Sequence, residues 1–170
     1  MYRWDIIHNL LKDQKNLNIA EIGVFEGKVT KKLLENLDIK QYWLIDPYKV
    51  YSNYLDTKAE QTLLNQAYKN VQKNILNKYD NVTLIKDFSD KASEIISNNS
   101  LDLVFIDGNH DYDFVRQDIK LWYDKVKIDG ILSGHDYDYP GIKGVKKAVD
   151  QLFGENIIVA EDYVWYTRKI

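Results

Sequence analysis

The chain contains no cysteine and only two prolines in 170 residues. Without thiols, disulfide frameworks, thiolate zinc sites and cysteine nucleophiles are excluded together, and any metal has to be held by oxygen or imidazole. Positive charge is not in excess either. The 23 lysines and arginines stand against 26 acids, a formal net charge of −3 that leaves no basic field for an extended nucleic-acid footprint. No apolar stretch approaches the roughly 18 residues of a membrane span, and Met1-Tyr2-Arg3-Trp4-Asp5 interleaves charge where a signal peptide would have an apolar core. The expectation is a soluble, cytoplasmic protein with no membrane and no nucleic acid among its partners. No Pro/Gly/Ser linker, repeat or low-complexity tract divides the chain, so residues 1–170 read as one domain.

What is present is an alternation. Short β-rich apolar runs are separated by longer segments of helical period, the sequence form of a parallel sheet covered by helices. The spacing predicts a helix over 5–15, a strand over 18–22, a helix over 30–37 and a strand over 42–45. A long helix follows over 57–79, with Leu63, Ala67, Val71 and Ile75 spaced by four on one face. Strands are predicted over 82–85, 101–106 and 130–133, the last after a turn at Lys127-Ile128-Asp129-Gly130. Helices are predicted over 91–97, along the Val115, Ile119 and Trp122 stripe, and over 145–153. The run Leu101 to Ile106 is apolar enough to be buried on both faces. Segments 157–160 and 164–167 read as two strands joined tightly. The fold class is therefore α/β, a Rossmann-like doubly wound sheet of seven strands, mostly parallel, closed by an antiparallel C-terminal hairpin.

In open α/β sheets ligands bind beyond the carboxyl ends of the strands, near the point where strand order reverses. Five segments there each carry an acid: Glu21 to Gly27, Asp46-Pro47-Tyr48, Asp87-Phe88-Ser89, Asp107-Gly108-Asn109-His110 and Gly134-His135-Asp136-Tyr137. One such aspartate is an ordinary cap or turn former. Five along one rim point instead to a ligand rich in hydroxyl or ammonium groups, with a metal as a further option. Gly23 and Gly27 flank a strand-to-helix turn where absent Cβ atoms let backbone approach a ligand. Phe25 stands where a dinucleotide loop has its middle glycine, and Gly27-Lys28-Val29 departs from a phosphate-binding P-loop.

The Glu-x-Gly-x-x-x-Gly pattern, followed by Asp46 at the end of the next strand, resembles class I S-adenosylmethionine-dependent methyltransferases. The resemblance runs from Asn18 to Arg168. It is carried further by the DPY segment, FIDGNHDYDFVRQDIKLWYDKVKIDGILSGHDY and the GVKKAVDQLF helix, which look like the small branch of antibiotic-biosynthesis and sugar O-methyltransferases. The resemblance implies that Glu21 anchors the glycine loop, that the Gly23-to-Gly27 backbone, Phe25 included, passes beneath the cofactor, and that Asp46, next to Pro47, accepts the two ribose hydroxyls. Asp87 would lie near the adenine amino group, with Phe88 as a ring wall.

At the other end, the resemblance brings Asp107, His110, His135 and Asp136 over the reactive methyl. Asp107 matches the first ligand of related metal-dependent enzymes, and His135 and Asp136 fall where the second pair lies. The histidine suits Mn²⁺ or Fe²⁺ better than Mg²⁺, which leaves open whether a metal binds. Methyl transfer also needs the acceptor proton removed. His110, three residues past Asp107, is the expected base, since an imidazole titrating near roughly 6.5 suits the task; His135 is its rival, and His8 reads as structural. Tyr48, Tyr51, Tyr54, Tyr137 and Tyr139 border the expected acceptor pocket. The implied function is methylation of a small-molecule or sugar hydroxyl, with walls from the first helix, the 46–57 loop and a second copy of the chain in a homo-oligomer. A non-catalytic cofactor-binding module and a nicotinamide oxidoreductase are the alternatives.

Overall fold

The computed structural model describes residues 1–51 and 60–170, so the expected start of the long helix at Thr57, and Tyr54, lie outside the described residues. The elements alternate as the pattern requires: α1 (Arg3–Leu11), β1 (Leu17–Ile22), α2 (Lys28–Asn36), β2 (Ile39–Ile45), α3 (Gln61–Val71), β3 (Val82–Ile85), α4 (Ser89–Ile95), β4 (Leu101–Ile106), α5 (Tyr112–Tyr123), β5 (Val126–Gly134), α6 (Gly144–Phe153), β6 (Ile158–Val159) and β7 (Trp165–Arg168). They form one seven-stranded sheet in the order β3-β2-β1-β4-β5-β7-β6. Pairs among β1 to β5 are parallel, while β7 runs antiparallel to both β5 and β6. No helix among the described residues is long and apolar enough to cross a membrane.

The period-2 alternation of the strands divides the core into two layers. Leu17 and Ile19, Tyr42 and Leu44, and Leu103 and Phe105 face Ile7, Leu11, Leu33 and Val71 of α1, α2 and α3. Ala20 and Ile22, Val104 and Ile106, and Leu132 face Ala92, Ile119, Trp122 and Ala148 of α4, α5 and α6. β4 is buried along both faces, as its unbroken apolar run demands.

Two local expectations are corrected. The long helix does not keep one face: after α3 the chain makes a π-helical turn over Gln72–Leu76, and the buried stripe is Leu64, Ala67, Val71 and Ile75 rather than one starting at Leu63, which is 41% exposed. The segment Lys127 to Gly130 is not a turn before the fifth strand but a bulge within it. Leu101 pairs with Val126 and Leu103 with Ile131, the extra residues being absorbed where Asp129 adopts φ +63°.

Candidate active site

Strand order reverses between β1 and β4, and backbone bonding continues one residue past the strands. The amide of Gly23 donates to the Ile45 carbonyl (2.9 Å), that of Asp107 to Ile22 (2.7 Å) and that of His135 to Ile106 (3.0 Å). The residues that follow the strands are therefore held level with one another. They border a cleft of about 1050 Å³ lined by Gly23, Phe25, Asp46, Pro47, Phe88, Asp107, His110, His135 and Asp136 among others.

One half of the cleft is made by backbone. Asp46 Oδ2 accepts the amides of Val24 (3.0 Å) and Phe25 (2.9 Å), and Oδ1 accepts that of Tyr48 (2.8 Å). Burial nevertheless pushes the Asp46 carboxyl above its ordinary range, with those three bonds opposing it. Gly23, at φ +86°, lies so close to β4 that a Cβ would fall 2.2 Å from the Asp107 carbonyl oxygen. Gly27, at φ +71°, opens α2, and its Cβ would meet Ile75 Cδ1 at 2.4 Å, so the π-helical turn and the glycine fit one another. Phe25 also takes positive φ (+49°) and is exposed.

Glu21 is not on the rim. It follows Leu17 and Ile19 onto the α1–α3 face, 1% exposed, and accepts Thr30 Oγ1 (2.7 Å) and Tyr42 OH (2.8 Å). Burial pushes its carboxyl up to about 8 against those two hydrogen bonds. Asp87 is exposed, outside the cleft lining, and accepts the Phe88 amide (2.7 Å). Phe88 does line the cleft and meets the Tyr51 ring edge-on at 5.2 Å. Tyr48 is core, its hydroxyl bonded to the Phe25 carbonyl (2.9 Å), and Tyr137 bonds Asp150 outside the cleft, whereas Tyr51 and Tyr139 line it.

Sequence reasoning missed Asp118. It lines the cleft from α5, 7% exposed, and accepts the hydroxyl of Ser89, which in turn accepts Trp122 Nε1 (2.7 Å). Burial pushes Asp118 up to about 7, with the Ser89 bond opposing. Its signal was present: a carboxylate inside the Val115, Ile119 and Trp122 stripe.

The other half is made by side chains. His110 Nε2 stands 2.8 Å from Asp136 Oδ2, and His135 Nδ1 lies 3.0 Å from Asp136 Oδ1 and 3.6 Å from Asp107 Oδ1. Burial works to raise Asp136, but the two imidazoles outweigh it and hold the carboxyl well below the ordinary range. Burial raises Asp107, opposed by His135 and then Arg3. Arg3, also missed in the sequence, enters from α1: its Nη1 donates to Asp107 Oδ2 at 2.7 Å, and its backbone amide to Asp162 Oδ2 at 2.8 Å. His135, a residue only 5% exposed, has the Asp136 carboxylate 3.0 Å from Nδ1 and Asp162 Oδ1 3.9 Å from Nε2.

The two groups the family resemblance implies fit this cleft differently. The glycine at 23 brings the loop backbone against β4 at the cleft wall, and Asp46 supplies a carboxylate beside it, which fits a ribose-bearing cofactor. Asp107, His110 and Asp136 offer three ligand atoms within 4.8 Å of one another. However, Asp107 Oδ2 already receives the Arg3 guanidinium, and His110 Nε2 already faces Asp136. Arg3 thus takes one oxygen of Asp107, and the ligand atoms that lie within 4.8 Å of one another include His110 where His135 was expected.

Sheet order, glycine turn and acidic strand end together define the class of S-adenosylmethionine-dependent methyltransferases. The profile of a methyltransferase domain matches residues 20–137, and the chain belongs to that family. A curated relative, the uncharacterised protein R132 of Acanthamoeba polyphaga mimivirus, is 29% identical over 153 residues, covering 88% of this chain and 66% of that protein's length. Among solved structures, the chain is similar to SMU.1697c, a candidate methyltransferase from Streptococcus mutans in complex with SAH (TM-score 0.69, 16% identity, 98% of this chain and 97% of that one). It is also similar to CalS11, a TDP-rhamnose 3′-O-methyltransferase of calicheamicin biosynthesis (TM-score 0.65, 14% identity, 97% and 76%). At these identities the solved structures speak for the fold.

Proposed function

We propose that the chain is an S-adenosylmethionine-dependent O-methyltransferase acting on a hydroxyl of a small molecule, a sugar or phenol by class. The observation that carries this reading is the His110–Asp136 pair, at 2.8 Å, on the wall of the same cleft as the glycine loop and Asp46. Asp46 accepts the ribose hydroxyls, taking them in exchange for loop amides it now holds, while Gly23 and Gly27 let backbone pass under the cofactor. Phe88 and Tyr51 wall the adenine end. When bound, the cofactor supplies an electrophilic methyl on a sulfonium, which leaves this chain to align the acceptor, exclude water and remove one proton.

His110 does the last. With the cofactor bound, its methyl would pass from sulfur to the acceptor oxygen, and the hydroxyl proton would pass to the imidazole. Asp136, held anionic by its two histidines, orients the ring and offsets the charge it gains. No step runs through a divalent ion, because Arg3 already neutralises Asp107. Tyr139, 42% exposed on the cleft and edge-on to Tyr163 at 4.9 Å, offers the flat, hydroxyl-bearing face that sugars and phenols stack against. The test is calorimetry with S-adenosylhomocysteine, followed by transfer from a labelled methyl donor across nucleotide sugars, free sugars and phenols. Tight binding with turnover of one hydroxyl class is the expected result. Binding without transfer to any acceptor would make the chain a cofactor-binding module, and preference for NADH would overturn the cofactor assignment.

A further inference from the structure

Arg3 is the residue whose placement the methyl-transfer reading does not require. Two segments far from it in the chain converge on it. Its Nη1 lies 2.7 Å from Asp107 Oδ2 after β4, and its Nε lies 3.5 Å from Asp162 Oδ2 in the β6–β7 turn, which also accepts the Arg3 amide at 2.8 Å. The guanidinium is about three-tenths exposed and borders the cleft. Carboxylates that share a partly buried site need a cation among them. Asp136 has two imidazoles at 2.8 and 3.0 Å, whereas the nearest imidazole nitrogen to Asp107 is 3.6 Å away, and its close cationic partner is Arg3. Beside this cluster His135 is buried with its Nδ1 on Asp136 at 3.0 Å, and Asp107, His110 and Asp136 already present ligand atoms within 4.8 Å. Oxygen and imidazole donors at that spacing suit a divalent transition-metal ion, and Arg3 holds one of the two oxygens of Asp107.

We propose that Arg3 is the resident cation of the chemical end, a positioning residue whose guanidinium takes the place on Asp107 that a divalent ion would need, so that this chain carries as a side chain the charge that a bound metal would otherwise supply. It acts through Asp107: it holds that carboxylate aimed at the seam between glycine loop and base, with Asp162 as its tether. The inference rests on reading Asp107, His110 and Asp136 as the catalytic end of the cleft. It also makes a statement about cation binding that can be measured without turnover.

The experiment titrates Mn²⁺ into the full chain and follows the signal of the free ion by electron paramagnetic resonance, for wild type, Arg3→Lys, Arg3→Met and Arg3→Met/Asp107→Asn. Wild type and Arg3→Lys should bind Mn²⁺ weakly. Arg3→Met should bind it at least tenfold more tightly, and the added Asp107→Asn should abolish the gain. Methyl transfer should resist chelation in wild type, fall at least tenfold in Arg3→Met, recover in part with Mn²⁺, and be retained in Arg3→Lys. Equal Mn²⁺ affinity in wild type and Arg3→Met, or no Mn²⁺ binding by Arg3→Met, overturns the proposal. Should Arg3→Met fail to fold, Asp162→Asn loosens the tether and leaves the cluster intact. A severalfold rise in its Mn²⁺ affinity supports the proposal and an unchanged affinity defeats it. A wild type that binds no S-adenosylhomocysteine would defeat the functional reading while leaving the Mn²⁺ comparison standing.

Discussion

The two halves of the cleft are built by different means. At the ends of β1 and β2 a carboxylate is held by three backbone amides, and shape comes from glycines whose missing Cβ atoms would strike the Asp107 carbonyl or Ile75. At the ends of β4 and β5 the groups are held by other side chains, Asp136 by His110 and His135, and Asp107 by Arg3. The carboxylate of the first half is held locally, all three amides lying between Val24 and Tyr48. The second depends on partners brought in from α1 and from the β6–β7 turn. A backbone-held half should govern binding of the cofactor, and a side-chain-held half should govern the chemical step.

The sharpest way to break that division is to remove the base. His110→Ala should lower kcat by about 10²–10⁴-fold, the range for loss of a positioned general base, while calorimetric affinity for S-adenosylhomocysteine stays within about twofold. Asp136→Asn should fall in the same direction by less, since the imidazole remains but loses its charged partner. Loss of cofactor affinity in either variant would mean that the halves are not separable.

The halves should also differ in how pH acts on them. Burial holds Glu21 protonated in the fold up to about 8, against an ordinary value of 4.5. Between those values the native state binds more protons than the unfolded chain, so this group's contribution to stability falls as pH rises through the window. Asp136 is displaced the other way, and its contribution is present above its ordinary range and lost as pH falls. Urea denaturation at pH 5, 7 and 9 should show Glu21→Gln losing less stability toward pH 9 than wild type, by on the order of a few kcal/mol. A steeper loss in the variant would reverse the sign and sink the assignment. Next in size, Asp46→Ala should weaken S-adenosylhomocysteine binding by about 1.5–3 kcal/mol, the scale of hydrogen bonds to a charged group. Its kcat at saturating cofactor should stay near that of wild type.

Sequence reading recovered the halves unequally for the same reason that they differ. A backbone device leaves a short-range signature, so Gly23, Gly27 and Asp46 were legible from spacing, as was the sheet, whose apolar runs carry their own period. Glu21 was misplaced because its neighbourhood and its register give opposite answers. It adjoins the glycine loop, but period-2 alternation turns it into the core with Thr30 and Tyr42. The π-helical turn and the bulge around Asp129 were hidden because local irregularities leave the composition unchanged. Arg3 and Asp162 carried no local signal at all, since what brings them to the cleft is a meeting of segments 104 and 159 residues apart. Asp118 is the instructive intermediate, visible as a carboxylate in an apolar stripe and overlooked because that stripe sufficed to place a helix.

The smallest expected effect concerns the pair Asp87 and Phe88, both of which the resemblance brings to adenine while only Phe88 lines the cleft. Resemblance gives the polar contact to Asp87, but that carboxylate is exposed, outside the cleft, and spent on the Phe88 amide at the start of α4. Phe88 faces the cleft with Tyr51 edge-on at 5.2 Å and 80°, an arrangement worth about 0.5–1.5 kcal/mol beyond the area it covers. Phe88→Leu keeps an apolar wall but loses the ring. It should weaken S-adenosylhomocysteine by about that amount and leave kcat at saturating cofactor unchanged. Asp87→Ala should do nothing measurable to affinity, because the group it removes touches only its own helix start. If Asp87→Ala costs more affinity than Phe88→Leu, the carboxylate swings into the cleft when the nucleoside binds, and the backbone-held half is less rigid than its hydrogen bonds imply.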